Sequence, residues 1–104
     1  MSRLLQADRA EAYFCGDDVL SIGALSAAMT AGLKVPEDLG ILGLNDMEMA
    51  GWQNINLTTI RNPFDEIVQA SIELVELLLD NPDTSPVARL CDCKLVTRGT
   101  LRAP

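Results

Sequence analysis

Two short apolar runs on either side of a longer apolar stretch restrict this chain more than any other feature. Residues 12–15, Ala-Tyr-Phe-Cys, and residues 39–44, Leu-Gly-Ile-Leu-Gly-Leu, are brief and continuous, as in strands covered on both faces. Residues 19–31 between them are apolar nearly all round, apart from Ser21, Ser26 and Thr30, which predicts a helix covered on more than one side. Asp17 or Asp18 supplies an acceptor for the free amides that open it. Gly32 suits the left-handed cap that closes it, and Pro36 lies just beyond. Strand, helix, strand at this spacing gives a parallel pair joined by a right-handed crossover. The expected class is α/β, built of parallel βαβ layers.

The rest of the chain extends that pattern. Residues 3–9 read as the last turns of a helix, with Leu4 and Leu5 packing. Glycines in the second run allow close approach of a neighbouring backbone. Asn45-Asp46 ends it, and residues 47–53 suit a short helix around Met47, Met49 and Trp52. Leu57-Thr-Thr-Ile60 is a short β-prone stretch. Asn62 as cap, Pro63 at the first helical position and Asp65 and Glu66 in the first turn then start a helix running to Asp80. Its stripe is Phe64, Ile67, Val68, Ser71, Val75, Leu78 and Leu79. A turn-rich loop follows over 81–86, and residues 87–97 read as one final strand.

At 104 residues the chain amounts to at most one domain, and 48% apolar content is enough for one core. Fifteen acidic against eight basic residues leave a net charge of −7, which disfavours direct nucleic-acid contact by these residues. The apolar runs fall far short of the roughly 18 residues of a membrane span. The early charges in Met-Ser-Arg-Leu-Leu-Gln-Ala-Asp leave no signal-peptide core, so a cytoplasmic location is expected. Histidine is absent, and neither a Gly-x-Ser-x-Gly nor a phosphate-binding Gly-rich motif occurs, so catalysis is not expected, nor is a cofactor. Cys15, Cys91 and Cys93 are an odd set, consistent with reduced thiols. The single residue between Cys91 and Cys93 is shorter than zinc or redox spacing, so structural thiols on a strand are the better reading, with a small redox or metal protein as the competing one.

One pair stands out. Asp17 and Asn45 both follow the carboxyl ends of predicted parallel strands, the edge at which open α/β sheets bind ligands. An acid and an amide there accept and donate hydrogen bonds to a polyhydroxylated or amide-bearing molecule. Each is equally explained as a cap on the helix behind it, and one side chain can do both.

Three segments, in this order, carry a resemblance: Tyr13-Phe-Cys-Gly-Asp-Asp-Val-Leu-Ser-Ile-Gly-Ala-Leu25, Gly32-Leu-Lys-Val-Pro-Glu-Asp-Leu-Gly-Ile-Leu-Gly-Leu-Asn-Asp46, and Leu57-Thr-Thr-Ile-Arg-Asn-Pro63. Over about residues 12–99 the chain resembles the lactose/galactose repressor family of bacterial transcription regulators (LacI/GalR type). The resemblance implies a truncated portion of a periplasmic-binding-protein-like (type I) fold. Residues 1–104 would be one partial effector-binding and dimerisation domain. Within it, 12–56 would be the βαβ part of the second lobe, and 57–104 the crossover, helix and final strand of the first lobe. It implies a sugar-like small-molecule effector touched by Asp17 and Asn45, with Phe64 as an apolar wall; the residues themselves favour Phe64 as the first core residue of its helix. Asp17 stands where the family often has Asn, and Asn45 where it has an acid, so the effector's identity does not transfer.

The resemblance also implies a homodimer face made of Ile22, Leu25, Ser26, Met29, Met49 and Trp52, with core packing as the competing explanation for these side chains. DNA would be reached only through a helix-turn-helix outside these residues. With most of the first lobe absent, the stripe from Phe64 to Leu79 needs a partner, so self-association is expected, one form being exchange of the C-terminal helix and strand between protomers. A fragment of an exported solute-binding protein is the alternative function.

Overall fold

The computed structural model describes residues 1–6 and 8–102. In order the elements are β1 (Ala12–Phe14), α1 (Asp18–Thr30), β2 (Gly40–Leu44), a 3₁₀ turn (Glu48–Gly51), β3 (Thr59–Arg61), α2 (Phe64–Asp80) and β4 (Lys94–Val96). The strands follow one another in one sheet, in the order β1-β2-β3-β4. Parallel register sets Tyr13 beside Ile41, and Gly43 beside Thr59. The expected βαβ unit is therefore present, and a third parallel strand extends it.

The core forms where α1 lies on β2. Leu39, Ile41, Ala24, Ala28, Ala50, Leu57 and Leu5 are buried there, with Tyr13, Leu25 and Ile55 packed around them. Small residues on the inner face of α1 let helix and sheet approach closely. Gly32 ends α1 at φ 76°, and the Leu33 N–H returns to the Ala28 carbonyl at 2.9 Å, a left-handed cap as expected.

Two compact units divide the chain, Met1–Arg61 with Leu95–Pro104, and Asn62–Lys94. The sequence reading, by contrast, groups 57–104 together as crossover, helix and final strand, whereas residues 57–61 fall in the first of these units. Thr100 explains the return of the chain. Its carbonyl accepts the Ile41 N–H at 2.8 Å, and its hydroxyl donates to the Ile41 carbonyl (2.7 Å) and accepts the Thr58 N–H (2.9 Å). The first half of β2 thus pairs with Thr100, and the second half with the Thr58–Ile60 segment, through Gly43 N–H to Thr58 and Asn45 N–H to Ile60.

Several local expectations are corrected. β1 is an edge strand rather than a strand covered on both faces, and Phe14 is 60% exposed. Only one face of α1 is buried, while Val19, Leu20 and Met29 stand exposed. Residues 1–6 form successive turns, with Leu5 buried and Leu4 exposed. The 47–53 segment is a single 3₁₀ turn. Pro63, not Asn62, takes the cap position of α2, and the Asn62 backbone carbonyl accepts the Phe64 N–H at 2.9 Å. Of the strand expected over 87–97, only Lys94–Val96 forms.

In the second unit α2 has no buried residue, and both its apolar stripe and its flanks are exposed. Arg89 pairs with Glu73, whose carboxyl is held below the usual glutamate range by that hydrogen bond, by one from Gln69 and by the Arg89 charge.

Candidate functional site at the carboxyl edge of the sheet

Parallel strands bring their carboxyl ends to one edge, so the residues after β1, β2 and β3 meet there. After β1, Asp17 is the N-cap of α1. Its Oδ1 accepts the Leu20 N–H at 2.7 Å, and its backbone carbonyl accepts the Ser21 hydroxyl at 2.8 Å. The capping reading of Asp17 is thus observed.

After β2, Asn45 behaves differently. It lies at φ 102°, with Asp46 next at φ 55°, two successive residues in the left-handed region. Asn and Asp tolerate that region better than other side chains do. The N-cap of the 3₁₀ turn behind them is Met47, whose side chain makes no cap hydrogen bond.

The geometry of this turn depends on two carboxylates that sequence reasoning treated as caps or turn formers. Asp18 is completely buried. Its Oδ2 accepts the Met47 N–H and its Oδ1 the Thr59 hydroxyl, both at 2.6 Å. It ties the start of α1 to the turn after β2 and to β3. Gly43 makes room for it, because a Cβ there would stand 2.4 Å from Asp18 Oδ1 and 2.8 Å from a Leu57 methyl. Asp46 holds the turn from the other side. Its Oδ2 receives Arg61 Nε (2.7 Å) and Nη2 (2.6 Å), and its Oδ1 receives Arg98 Nη2 (2.8 Å). Arg98 also donates from Nη1 to the Leu57 carbonyl at 2.8 Å. Burial pushes the Asp46 carboxyl up, but the hydrogen bonds from Arg98 and Arg61 and their charges outweigh it, holding the group below the usual aspartate range.

A signal for Asp18 did exist in the sequence. Asp17-Asp18 and Asn45-Asp46 are each a polar pair directly after a strand, and a glycine in the middle of β2 implies a neighbour standing over it.

The remaining expected residues lie elsewhere. Ile22, Leu25 and Met49 are half-buried and Ser26 exposed, while Met29 and Trp52 are 78% and 52% exposed. Core packing therefore does not account for Met29 or Trp52. Phe64 opens α2 in the other unit with its ring more than half exposed, and it is considered apart from the Asp17–Asn45 edge. A groove of about 500 Å³ lies between the end of α1 and residues 53–56, lined by Leu25, Met29, Leu33 and Ile55 among others, and it includes neither Asp17 nor Asn45. Cys91 is half-buried, and the exposed Cys93 lies with Sγ 3.1 Å from Asn62 Oδ1. Among the described residues, no three His, Cys, Asp or Glu side chains are grouped to hold a metal ion, and no helix is long and apolar enough to cross a membrane.

Parallel strands with polar turns at their carboxyl edge are the layout of open α/β domains, the class whose strand ends commonly hold ligands. Residues 1–101 match the family described as periplasmic binding protein-like domain, and the chain belongs to that family, as part of the effector domain of LacI/GalR-type regulators. It is 44% identical over 95 residues to the HTH-type transcriptional repressor CytR of Escherichia coli (strain K12), covering 88% of this chain and 27% of that protein. It is 35% identical over 82 residues to the ribose operon repressor of Haemophilus influenzae, covering 79% of this chain and 25% of that one. A LacI-family transcriptional regulator from Enterococcus faecium, solved with bound ribose, superposes with a TM-score of 0.79 at 25% identity, over 96% of this chain and 37% of that one. The chain thus spans about a quarter of the length of these curated relatives.

Proposed function

We propose that this chain is the effector-sensing and dimerising part of a LacI/GalR-type transcription regulator, without catalytic activity, acting in the cytoplasm. A small sugar-like molecule is bound at the carboxyl edge by Asp17 and Asn45. The carrying observation is Asn45, held in a left-handed turn at the carboxyl end of β2 and anchored through its neighbours by Asp18 and Asp46. The left-handed backbone costs stability at the turn, and its anchoring offsets that cost while fixing the position of one amide side chain, as a binding site requires. The ribose bound to the E. faecium relative supports the ligand class, and the repressors among the relatives favour a regulator over an exported solute-binding protein. Met29, Trp52 and the α1 residues Ile22, Leu25 and Ser26, with Met49, form the proposed homodimer face, since exposed Met and aromatic side chains such as Met29 and Trp52 are enriched in such contacts. DNA contact belongs to a helix-turn-helix module outside these residues.

The test is a chimaera in which residues 1–101 replace the matched portion of the E. coli relative, titrated calorimetrically with a panel of sugars and purine nucleosides. Asp17→Ala and Asn45→Ala should each weaken the best ligand by about tenfold or more, as loss of a buried polar contact to a ligand does. Affinity unchanged in both variants removes the site assignment. The isolated chain should bind weakly, since affinity for such ligands comes from enclosure on several sides.

A further inference from the structure

Asp46 sits where three parts of the chain meet. It belongs to the turn that presents Asn45. Arg61 is the last residue of the first unit before the chain passes to the second, and Arg98 lies shortly after the chain returns. One carboxylate, only 7% exposed, holds both arginines at 2.6–2.8 Å, and the Arg98 side chain is itself 18% exposed. The returning segment is held further by the Arg98 N–H on the Thr58 hydroxyl and the Gly99 N–H on the Asn56 carbonyl, both at 2.9 Å. Charge-assisted bonds of this kind are short, directional and about twice as strong as neutral ones. No other acid shares the two guanidiniums among the described ion pairs.

We propose that Asp46 is a positioning residue that couples the Asn45 turn to both connections between the units, so that a ligand on Asn45 is felt at the outgoing strand and at the returning one through a single carboxylate. This rests on the effector-edge reading for its ligand, but not for the coupling itself. Asp18 is the natural comparison, because it holds the same turn through Met47 and β3 without touching either arginine.

The test is amide hydrogen exchange on the 104-residue chain, read by mass spectrometry for residues 44–47 and 95–100. Asp46→Asn should speed exchange in both segments together, by about tenfold. Arg61→Gln should speed exchange at 95–100 while Asp46 is present and add nothing in the Asp46→Asn background. A residue that merely fills space predicts no effect of Arg61→Gln at 95–100, and that result overturns the coupling. If Asp46→Asn does not fold, as judged by circular dichroism, reciprocal Arg61→Gln and Arg98→Gln variants decide: each must loosen the other's segment, and independence of the two overturns the proposal. A second arm adds D-ribose. Protection reaching 95–100 in the parent chain but confined to 44–47 in Asp46→Asn supports transmission, and protection at 95–100 in both overturns it. If ribose protects none of the variants, as the weak binding of the isolated chain allows, the ligand-free arm alone decides the coupling.

Discussion

The apolar stripe of α2 should drive the isolated chain to self-associate. Phe64, Ile67, Val68, Val75, Leu78 and Leu79 are between 38% and 75% exposed, and no residue of the helix is buried. Fully burying such a side chain is worth about 1.5–3 kcal/mol, so covering the remaining half of each gains about 1 kcal/mol. Six of them give about 6 kcal/mol per protomer and about 12 in a symmetric pair, against an association cost of about 4–15 kcal/mol. That balance reaches micromolar dimerisation only if the whole stripe takes part, so it is sensitive to small losses. Replacing Val75 and Leu78 by Gln keeps helix propensity and removes about 2 kcal/mol per protomer, or about 4 per dimer. The dimer constant should weaken by about a thousandfold. Sedimentation equilibrium between 1 and about 100 micromolar measures it. A compact monomer of the unmodified chain at micromolar concentration refutes the reasoning, as does a dimer indifferent to the two substitutions.

Asp18→Ala leaves the Met47 N–H and the Thr59 hydroxyl without their acceptor inside the fold, and should cost about 3–4 kcal/mol in urea unfolding; a loss under about 1 kcal/mol means the clamp is dispensable. Gly43→Ala puts a methyl group against Asp18 Oδ1 and Leu57, and should destabilise by about 2 kcal/mol or more, with the melting temperature as readout. The Asp46 carboxyl is depressed in the folded chain, so its stabilisation is complete above the unfolded aspartate pKa of about 3.9 and is lost as pH falls through the lower folded value. The stability gap between the parent and Asp46→Asn should therefore be constant from neutral pH down to about 5 and close only in strong acid; a gap that closes near neutral pH assigns the effect to another group.

The elements legible in the sequence were those decided within a few residues of themselves. β1, α1 and β2 follow from apolar runs, the Asp17 cap and the Gly32 terminator, and all of these are local. What was not legible depends on partners far along the chain. Residues 87–97 have the composition of a strand, but only Lys94–Val96 forms one. The return of Thr100 to Ile41 joins residues 59 positions apart, and nothing near Thr100 announces it. The Arg98 link to Asp46 spans 52 positions and hides among charges that look like solvated surface. The strand ends and the resemblance both pointed to the carboxyl edge, yet neither could say which neighbours of Asp17 and Asn45 hold its turns in place.

Neither pair continues its strand: Asp17 leads directly into the first residue of α1, and Asn45 and Asp46 are both left-handed. Each pair nonetheless divides its work, with one member more deeply buried than the other. Asp17 is half-buried and its neighbour Asp18 wholly buried; Asn45 is half-buried and the Asp46 carboxylate nearly so. The more deeply buried member must then be satisfied inside the protein, and each is, Asp18 by a backbone amide and a hydroxyl, Asp46 by two guanidiniums. Exchanging acid for amide at the less buried positions changes the direction of hydrogen bonds offered to a ligand and leaves the scaffold's acceptors in place. The same exchange at the more deeply buried positions puts an amide where two donors already converge on an acceptor, and it disturbs the turn itself. On the proposed function, ligand choice can drift at Asp17 and Asn45 while Asp18 and Asp46 hold the edge in shape, and an acid–amide swap between those two positions is the kind of change this arrangement of acceptors tolerates.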